Sequence, residues 1–302
     1  MKFTQDERIK QVTSNIYMLE GPRKGQFPFC HAFLFVGDRN ILIDAGAAED
    51  LMINIDSEIG IDTLIISHTH PDHIRCWHVL SHRELLFPKE TPESVHTLES
   101  LGERFVGSRD RGIYWASIIG NLLKLQALRK PDARYSNGDI FDIGTARIEA
   151  IHNPGHLDDH YCFFEHITGT LFTTDIDLTS FGPWYGNPEG RVKLFKDGIK
   201  EIMKIPYKRV CSSHKLPHEG DATQAFNDFL AVFDRQKEKI FSAVGTGKTL
   251  HEIVKSSPIY NNKFLDPFIQ YAFEENMANE NLLLLIEEGR IVKDGELYVP
   301  VK

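Results

Sequence analysis

Three histidines and one aspartate fall within the six-residue segment His-Thr-His-Pro-Asp-His at residues 68–73. The apolar, β-branched run Ile61–Ile66 comes just before it and predicts a buried strand that ends at this segment. Imidazole and carboxylate groups are ligands that zinc, iron and manganese accept in proteins. On a loop leaving a strand, the first two histidines can face one point and the Asp72–His73 pair a neighbouring one. The segment therefore predicts a metal site at a strand end.

Further ligand-type side chains follow other predicted strands later in the chain. The segment Asn-Pro-Gly-His at 153–156 follows a predicted strand, and its Pro-Gly pair forces a turn that exposes the histidine. Asp175 directly follows the strand predicted over 171–174, and His214 follows a short apolar run. Seven candidate ligands thus lie at strand ends, enough for two metal ions with open positions: His68, His70, Asp72, His73, His156, Asp175 and His214.

The order of these motifs resembles that of the metallo-β-lactamase superfamily over residues 12–218. Its members carry an H-x-H-x-D-H motif followed by a histidine, an aspartate and a histidine, and the Pro-Gly-His motif is compatible with its glyoxalase II-like branch. The resemblance implies a mixed α/β (α+β) fold. It would be a four-layer αββα sandwich with the metals at one edge of its two sheets.

The same resemblance assigns a role to each ligand. It divides the seven between two divalent metal ions: His68, His70 and His156 for the first, Asp72, His73 and His214 for the second, and Asp175 as a bridge. Asp44 matches the early aspartate of the superfamily, which is expected to orient a ligand through a hydrogen bond. Asp72 is also the expected catalytic proton acceptor. Zinc is the expected metal, and iron and manganese suit the same ligand set.

Two cations close together lower the pKa of a shared water, which makes a hydroxide available near neutral pH. That hydroxide would attack an ester, thioester, lactone or phosphoester of a small molecule. The expected function is therefore that of a dinuclear metal-dependent hydrolase. Two alternatives stay open. One is a non-catalytic metal-binding regulatory or sensor protein, and the other is a mononuclear iron persulfide dioxygenase.

Side chains near these motifs are candidates for the substrate pocket. His160 lies four residues after the Pro-Gly-His histidine and could reach a substrate. An aromatic loop follows the aspartate at 175, and it offers Phe181, Trp184 and Tyr185 as a pocket wall. The segment 80–135 is expected to cover the site from the strand ends.

Secondary-structure signals change near residue 220, where predicted strands give way to helices. Before that point, strands are expected at 15–19, 32–36, 41–44, 61–66, 138–143, 146–151, 161–165, 171–174 and 209–211, and helices at 50–59, from Thr91, at 113–128 and at 192–204. After it, helices are expected at 222–243, 250–255, 267–275 and 280–288, followed by a hairpin at Asp294-Gly295. The predicted domains are a catalytic domain at 1–220 and a helical, winged-helix-like extension at 221–302.

Charge and hydropathy limit the partners. The formal net charge is −9, and residues 221–302 carry nine Lys and Arg against thirteen Asp and Glu, which disfavours nucleic acid. Dimerisation or shaping of the substrate entrance is the better interpretation of the extension, and Glu274, Glu275 and Glu280 are expected to form a solvated face. No apolar run is long enough for a bilayer, and residues 1–10 lack the apolar core of a secretion signal. We expect a cytoplasmic homodimer that acts on a small molecule.

Overall fold

The computed structural model describes residues 3–264 and 266–301. Within them, the strands are β1 Ile9–Gln11, β2 Ile16–Leu19, β3 Ala32–Phe35, β4 Ile41–Ile43, β5 Thr63–Ile65, β6 Glu84–Pro88, β7 Ala133–Tyr135, β8 Ile140–Asp142, β9 Arg147–His152, β10 Tyr161–Glu165, β11 Thr170–Thr174, β12 Arg209–Ser212, β13 Lys215–Glu219, β14 Lys248–Thr249, β15 Ile291–Asp294 and β16 Leu297–Pro300. The α-helices are α1 Glu49–Ile59, α2 Pro71–Ile74, α3 Leu98–Val106, α4 Arg109–Trp115, α5 Asn121–Leu123, α6 Val192–Ile202, α7 Thr223–Val244, α8 Leu250–Lys255 and α9 Pro267–Glu287.

Two mixed sheets pack face to face. The first sheet has the order β1-β2-β3-β4-β5-β6-β7, and the second has the order β13-β12-β11-β10-β9-β8. Their inner faces meet through aromatic side chains: the ring of Phe172 lies 4.9 Å from that of Phe33 and 5.1 Å from that of Phe35, measured between centroids. Helix α1 covers the first sheet and α6 covers the second, each through an apolar face. The predicted αββα sandwich is confirmed.

Parallel pairing brings the ligand-bearing strand ends to one edge. Strands β4, β5 and β6 run parallel in the first sheet, and β11 and β12 run parallel in the second. Asp44 directly follows β4, the histidine-rich loop follows β5, Asp175 follows β11 and His214 comes two residues after β12. Because the carboxyl ends of parallel strands lie on the same side of a sheet, these side chains converge on a single edge of the sandwich.

The segment 80–135, which is expected to cover the site, differs from its prediction at two of its helices. The helix expected from Thr91 instead begins after Thr97, whose hydroxyl accepts from the N–H of Ser100 at 3.2 Å and caps α3. The helix expected over 113–128 ends at α5, because Lys124 takes a left-handed conformation with φ of 51°. Helices α3 and α4 cross closely, since a Cβ on Gly102 would lie only 2.4 Å from a carbonyl oxygen of α4.

The C-terminal helices end in a small sheet, with the order β14-β16-β15. The Asp294-Gly295 hairpin joins β15 to β16 as predicted, and the φ of Gly295 is 57°. The two helices predicted over 267–275 and 280–288 are a single helix, α9. The carboxylate of Asp266 begins that helix by accepting from the N–H groups of Phe268 and Ile269, both at 2.9 Å.

The prediction that Glu274, Glu275 and Glu280 form a solvated face is wrong. Glu274 is only 1% exposed, and its carboxylate accepts from the backbone N–H of Ile259 at 2.7 Å and from that of Tyr260 at 3.1 Å. It therefore organises the loop before α9. Apolar side chains of α6, α7 and α9 share one hydrophobic core, so the core continues across residue 220. The proposed division into two domains stays a prediction. Among the described residues, no helix has the length and apolar character needed to cross a membrane.

Candidate metal centre

The histidine-rich loop leaves β5 and turns at once into a short helix. His70 has an extended backbone, with φ of −66° and ψ of 149°, and Pro71 takes the first helical position of α2. Proline suits that position because its fixed φ favours the helix and its missing N–H would have had no partner there. His68 and His70 therefore lie on extended chain before the turn, while Asp72 and His73 lie on the turn itself.

The first cluster joins three histidines and one aspartate. Nδ1 of His70 lies 3.0 Å from Nε2 of His68 and 2.8 Å from Nε2 of His156. One carboxylate oxygen of Asp175, Oδ2, lies 3.5 Å from Nε2 of His68 and 3.2 Å from Nε2 of His156. One ligand atom from each of these four residues lies within 4.8 Å of the others. Imidazole nitrogens bound tetrahedrally to zinc at 2.0–2.1 Å are separated by about 3.3 Å, so this spacing fits a metal ion.

Burial keeps the imidazoles of His68 and His70 in the form that binds metal. Burial lowers the pKa of His68 well below its ordinary value, and it lowers the pKa of His70 to about 3. Both rings are therefore neutral near pH 7, with a lone pair on one nitrogen. Metal ions bind neutral imidazole, so little proton release opposes binding at these two residues.

The second cluster lies beside the first and shares Asp175 with it. Oδ1 of Asp175 lies 2.9 Å from Nε2 of His73 and 3.4 Å from Nε2 of His214, which in turn lies 3.4 Å from Oδ2 of Asp72. Nε2 of His73 and Oδ1 of Asp175 are buried, and neither makes a hydrogen bond of acceptable geometry within the described residues. Two unpartnered polar atoms that face each other in the interior fit a cation between or beside them.

His73 and His214 are the two ligand histidines whose surroundings favour the protonated ring, because nearby carboxylates raise the pKa of both. Burial opposes the charged ring, but the carboxylates of Asp175 and Asp72 outweigh it and raise the pKa of His214 to about 10. Without a metal, a proton on His214 therefore balances the two carboxylates. The second cluster thus attracts a cation, and a metal ion bound there would replace that proton.

Most ligand histidines also make a contact through the ring nitrogen that does not face the cluster. Four of the five ligand histidines have their other ring nitrogen next to an oxygen: His68 to Ser67 Oγ at 3.1 Å, His73 to Asp44 Oδ2 at 2.7 Å, His156 to the Trp184 carbonyl at 2.7 Å and His214 to the Gly25 carbonyl at 2.6 Å. Such contacts fix the tautomer and the orientation of a ligand ring. Asp44 therefore lies behind His73, and its role in orienting a metal ligand stays a prediction.

A buried ionic cluster anchors the loop between the first two ligands. The carboxylate of Asp159 accepts from the hydroxyls of Thr69 at 2.7 Å and Thr91 at 2.9 Å, and from the guanidinium of Arg104 at 3.0 Å. Arg104 also donates to Thr69 and to both carboxylate oxygens of Glu189. The cluster therefore ties the metal-binding loop to α3 of the cover and to the loop around residue 189.

Sequence reasoning did not select any member of this ionic cluster. Arg104 lies on α3, Glu189 lies in a loop, and Asp159 is three residues after His156, so no local spacing connects them. A Cys30–Asp44–His73 group was also missed, although one ligand-type atom from each residue lies within 4.8 Å of the others. Burial raises the pKa of the Cys30 thiol to about 12, so it stays protonated near neutral pH. We interpret this group as support for His73.

Of the four predicted pocket residues, Trp184 lies beside the first cluster and Phe181 lies outside it. The Trp184 ring is half-buried, and its centroid lies 5.0 Å from that of His70. Phe105 packs on the same imidazole at 5.5 Å, so His70 lies between two aromatic rings. Phe181 is 49% exposed and lies 6.1 Å from the Tyr260 ring. Trp184 is therefore the predicted pocket residue that lies next to the first cluster, and its contact with a substrate stays a prediction.

The other two pocket residues are placed in the interior instead. The ring of His160 is fully buried, and its nitrogens contact the Asn153 carbonyl and the Thr174 hydroxyl, both at 2.8 Å. It therefore supports the strand end that carries Asp175 and has no free nitrogen for a substrate. Tyr185 is also fully buried, and its hydroxyl donates to Gln236 at 2.8 Å. These positions correct the pocket role that the sequence assigned to them.

Comparison with known proteins identifies the family. A family model described as the metallo-beta-lactamase superfamily matches residues 25–243. The chain belongs to this superfamily. The match includes all seven candidate ligands and the Asp44 position. Membership of the superfamily, together with the buried histidine–aspartate cluster, places the chain among its metal-dependent hydrolases.

Solved structures share the fold over almost the whole chain. A metallo-beta-lactamase family protein of Thermus thermophilus superposes with a TM-score of 0.73 at 18% identity, covering 96% of this chain and 100% of that one. A beta-lactamase domain protein of Burkholderia ambifaria superposes with a TM-score of 0.70 at 16% identity, covering 97% and 93%. At this identity, the likeness shows the superfamily fold and nothing finer.

Curated relatives match a smaller part of the chain. An uncharacterized protein of Aquifex aeolicus (strain VF5) is 24% identical over 193 residues, covering 63% of this chain and 84% of that protein. The lactamase-like protein ptaB of Pestalotiopsis fici and an atrochrysone carboxyl ACP thioesterase of Pseudocercospora fijiensis are each 23% identical over 176 residues. The matched region spans only 46% and 43% of those two proteins.

Proposed function

We propose that this protein is a dinuclear metal-dependent hydrolase that cleaves a thioester or ester of a small molecule. The placement of Asp175 is the observation that carries the proposal. Its Oδ2 lies 3.2 Å from His156 in the first cluster, and its Oδ1 lies 2.9 Å from His73 in the second. One carboxylate therefore serves two adjacent ligand sets, which is the arrangement needed to hold two ions close together.

Each of the seven candidate ligands has a proposed role in holding the two ions. His68, His70 and His156 would hold one ion, Asp72, His73 and His214 the other, and Asp175 both. Zinc is the preferred ion for this ligand set, although iron and manganese also suit it. Two such ions, when bound, supply a hydroxide near neutral pH and polarise the bond to be broken.

Access to the centre is from the side of His214. The His214 side chain is 13% exposed, whereas those of His68 and His73 are fully buried. Asp72 lies on this open side, next to His214, and burial raises the pKa of its carboxyl. Asp72 is the proposed acceptor of the proton released when water adds to the substrate carbonyl, because its carboxylate lies at the site beside His214. The carbon–sulfur or carbon–oxygen bond then breaks, giving an acid and a thiol or alcohol.

A thioester is the preferred substrate among those that the ligand set allows. The thioesterase of Pseudocercospora fijiensis is a distant relative, and its name records this bond as its target. The half-buried Trp184 ring beside His70 also suits an acyl group better than a strongly charged one. Lactones and phosphoesters are the remaining candidates for the same screen.

The alternative functions use fewer of the observed groups. A mononuclear iron dioxygenase needs only the first cluster, which would leave the second ligand set of Asp72, His73 and His214 unused. A non-catalytic sensor needs no open coordination position. The dinuclear hydrolase makes use of both clusters and of the exposed side at His214, and for that reason we prefer it.

Elemental analysis of the purified protein tests this proposal. We expect about two metal equivalents, lost in Asp175→Ala, and thioester hydrolysis that disappears in the same variant. His82→Ala is the matched control, because His82 is an exposed histidine whose ring contacts Asp56 at 3.1 Å and no ligand. Circular dichroism of each variant checks that the fold survives. An absence of bound metal after reconstitution, or oxygen uptake with a persulfide and one equivalent of iron, would overturn the proposal.

A further inference from the structure

A backbone carbonyl fixes one ligand of the first cluster. Nδ1–H of His156 donates to the carbonyl oxygen of Trp184 at 2.7 Å, and Nε2 of the same ring faces Nδ1 of His70 at 2.8 Å. A donor bond from Nδ1 requires the hydrogen to be on Nδ1, which leaves the lone pair on Nε2. The position of the Trp184 carbonyl therefore sets both the tautomer and the direction of this imidazole.

The segment that carries this carbonyl, residues 183–186, is bound by residues from the C-terminal part of the chain. The indole N–H of Trp184 donates to the hydroxyl of Tyr260. The carbonyl of Gly186 accepts from the side-chain amide of Asn276 on α9 at 2.7 Å. Within the described residues, the side chains that hydrogen-bond to this segment are His156 and residues beyond position 221.

The strongest of these attachments is a buried polar network around Tyr185. Its hydroxyl donates to Oε1 of Gln236 on α7 at 2.8 Å and accepts from Nδ2 of Asn281 on α9 at 2.9 Å. The three side chains are all buried in the apolar core that α6, α7 and α9 share. An unpaired polar group costs much more in such a core than at the surface, so the network allows the tyrosine few other positions.

We propose that the C-terminal helices are a positioning element for the first metal site, acting through residues 183–186 on His156. This inference rests on the metal binding of the proposed function and goes beyond it, since it assigns a role to residues 221–301. A tyrosine adjacent to Trp184 anchors the backbone from one side, and Tyr260 holds the indole from the other. The carbonyl between them is consequently held where His156 needs it.

A purely structural role for the helices predicts a different outcome. If α7 and α9 only stabilise the fold, loss of one of their hydrogen bonds lowers the free energy of unfolding and leaves both metal affinities unchanged. If they position His156, the same loss weakens the first metal site selectively. Within the described residues, no member of the second cluster makes a hydrogen bond or ring contact with segment 183–186, so that cluster serves as an internal reference.

The test compares Tyr185→Phe and Tyr260→Phe with the wild-type protein in cobalt titrations. Each variant removes one hydroxyl and keeps the ring, so the apolar packing is retained. We expect about 10- to 100-fold weaker binding at the first site, as for other residues that orient metal ligands. The visible cobalt spectrum of that site should change, and the second site should keep its affinity. Tyr271→Phe is the matched control, because its hydroxyl contacts only His251 within the C-terminal part, at 3.0 Å.

A readout without metal separates this inference from the proposed function. Nitrogen-15 NMR of the metal-free protein reports which ring nitrogen of His156 carries the hydrogen. We expect Nδ1–H in the wild type and in Tyr271→Phe, and a mixture of tautomers in Tyr185→Phe. Unchanged first-site affinity and an unchanged His156 tautomer in Tyr185→Phe would overturn the inference, as would equal losses at both sites. A wild-type protein that binds no metal would overturn the proposed function, while the tautomer measurement would still decide whether the helices position His156.

Discussion

Asp44 and His73 are separated by 29 residues, yet the carboxylate of Asp44 lies 2.7 Å from Nδ1 of His73. The same carboxylate accepts from the N–H and the hydroxyl of Ser67, both at 2.8 Å. Asp44 takes a left-handed backbone with φ of 67°, which is uncommon for a residue with a side chain. A buried carboxylate held by three donors in a strained backbone fixes Nδ1–H of His73 and leaves Nε2 free for a metal.

Asp44→Asn is expected to weaken the second metal site. Asparagine keeps the size of the side chain and tolerates the left-handed backbone, so the fold should survive. Its amide can donate to Nδ1 of His73, which moves the ring hydrogen to Nε2 and blocks that ligand atom. We expect about 10- to 100-fold lower affinity at the second site. Cobalt titration measures both affinities.

Asp62→Asn is the control for that substitution. The carboxylate of Asp62 also accepts from a backbone N–H, that of Asn40 at 2.7 Å, but it lies at the start of β5, away from the metal centre. The Asp62→Asn variant should bind both metal ions with the affinities of the wild type. If Asp44→Asn also binds two ions as tightly as the wild type, Asp44 does not orient His73.

Zinc is expected to stabilise the protein against unfolding. Ions that bind only the folded chain add about 2.7 kcal/mol per site when present at one hundred times the dissociation constant. The gain should be large here, because a bound ion would also satisfy the buried pair of His73 Nε2 and Asp175 Oδ1. Urea unfolding with chelator and with zinc measures the difference. Asp175→Ala should show almost no zinc-dependent gain; an equal gain in that variant would place the bound zinc elsewhere.

The metal centre was the part of the structure that local sequence patterns described best. Ligand types placed at strand ends converge because β4 runs parallel to β5 and β11 runs parallel to β12. Four of the seven predicted ligands lie in the single segment 68–73. The structure brings all seven predicted ligands together. Their assignment to two ions stays a prediction, as do the homodimer and the cytoplasmic location.

Residues that depend on distant contacts could not be predicted in the same way. Tyr185 and His160 flank the motifs in sequence, but their polar atoms are bound by Gln236 and Thr174 in the interior. Glu274 carries a charge and so suggested a solvated position, although its carboxylate caps backbone N–H groups of a buried loop. In each case a tertiary partner, which no local spacing reveals, determines where the side chain lies.

The break of the predicted cover helix has a similar cause. Leu125 and Leu128 continue the apolar spacing of a helix beyond residue 123, and both are buried. They lie in irregular chain after Lys124, where the N–H of Leu128 donates to the carbonyl of Val95 at 3.1 Å. Periodicity showed that these leucines are internal, but it could not show that a neighbouring segment supplies their backbone partners.

Arg104→Met is expected to destabilise the fold strongly. The Arg104 side chain is 4% exposed and that of Asp159 is fully buried, so removing the cation leaves an unpaired carboxylate in the interior. Breaking such a pair costs about 3–5 kcal/mol. Urea unfolding of the metal-free protein measures this loss. Arg111→Met is the matched control on the neighbouring helix, since its ion pair with Glu275 is partly exposed and is worth at most about 1 kcal/mol.

A double-mutant cycle tests whether Arg104 and Asp159 act as a pair. Asp159→Asn removes the charge and keeps the shape, and it should also destabilise the protein. Because both single variants lose the same interaction, the double variant should lose less than their sum, by about 0.5–3 kcal/mol. Strict additivity would show that the two residues stabilise the loop independently.

The ion pair between Arg104 and Asp159 should also affect how the stability of the protein depends on pH. Burial would raise the pKa of Asp159, but the Arg104 guanidinium and the hydroxyls of Thr69 and Thr91 outweigh it and hold that pKa below its ordinary value of 3.8. A carboxyl whose pKa is lower in the folded state contributes stability that is fully present above 3.8 and is lost as the pH falls through the folded pKa.

The difference in the free energy of unfolding between Asp159→Asn and the wild type should therefore decrease as the solution becomes more acidic. At pH 7 the wild type has the full contribution of the ionised carboxylate, whereas the variant has none at any pH. Below 3.8 the wild type begins to lose that contribution, so the two free energies of unfolding should approach each other. Urea unfolding of the metal-free proteins between about pH 7 and 3 measures the gap. A gap that stays constant through this range would mean that the charge of Asp159 does not stabilise the loop between His68 and His70.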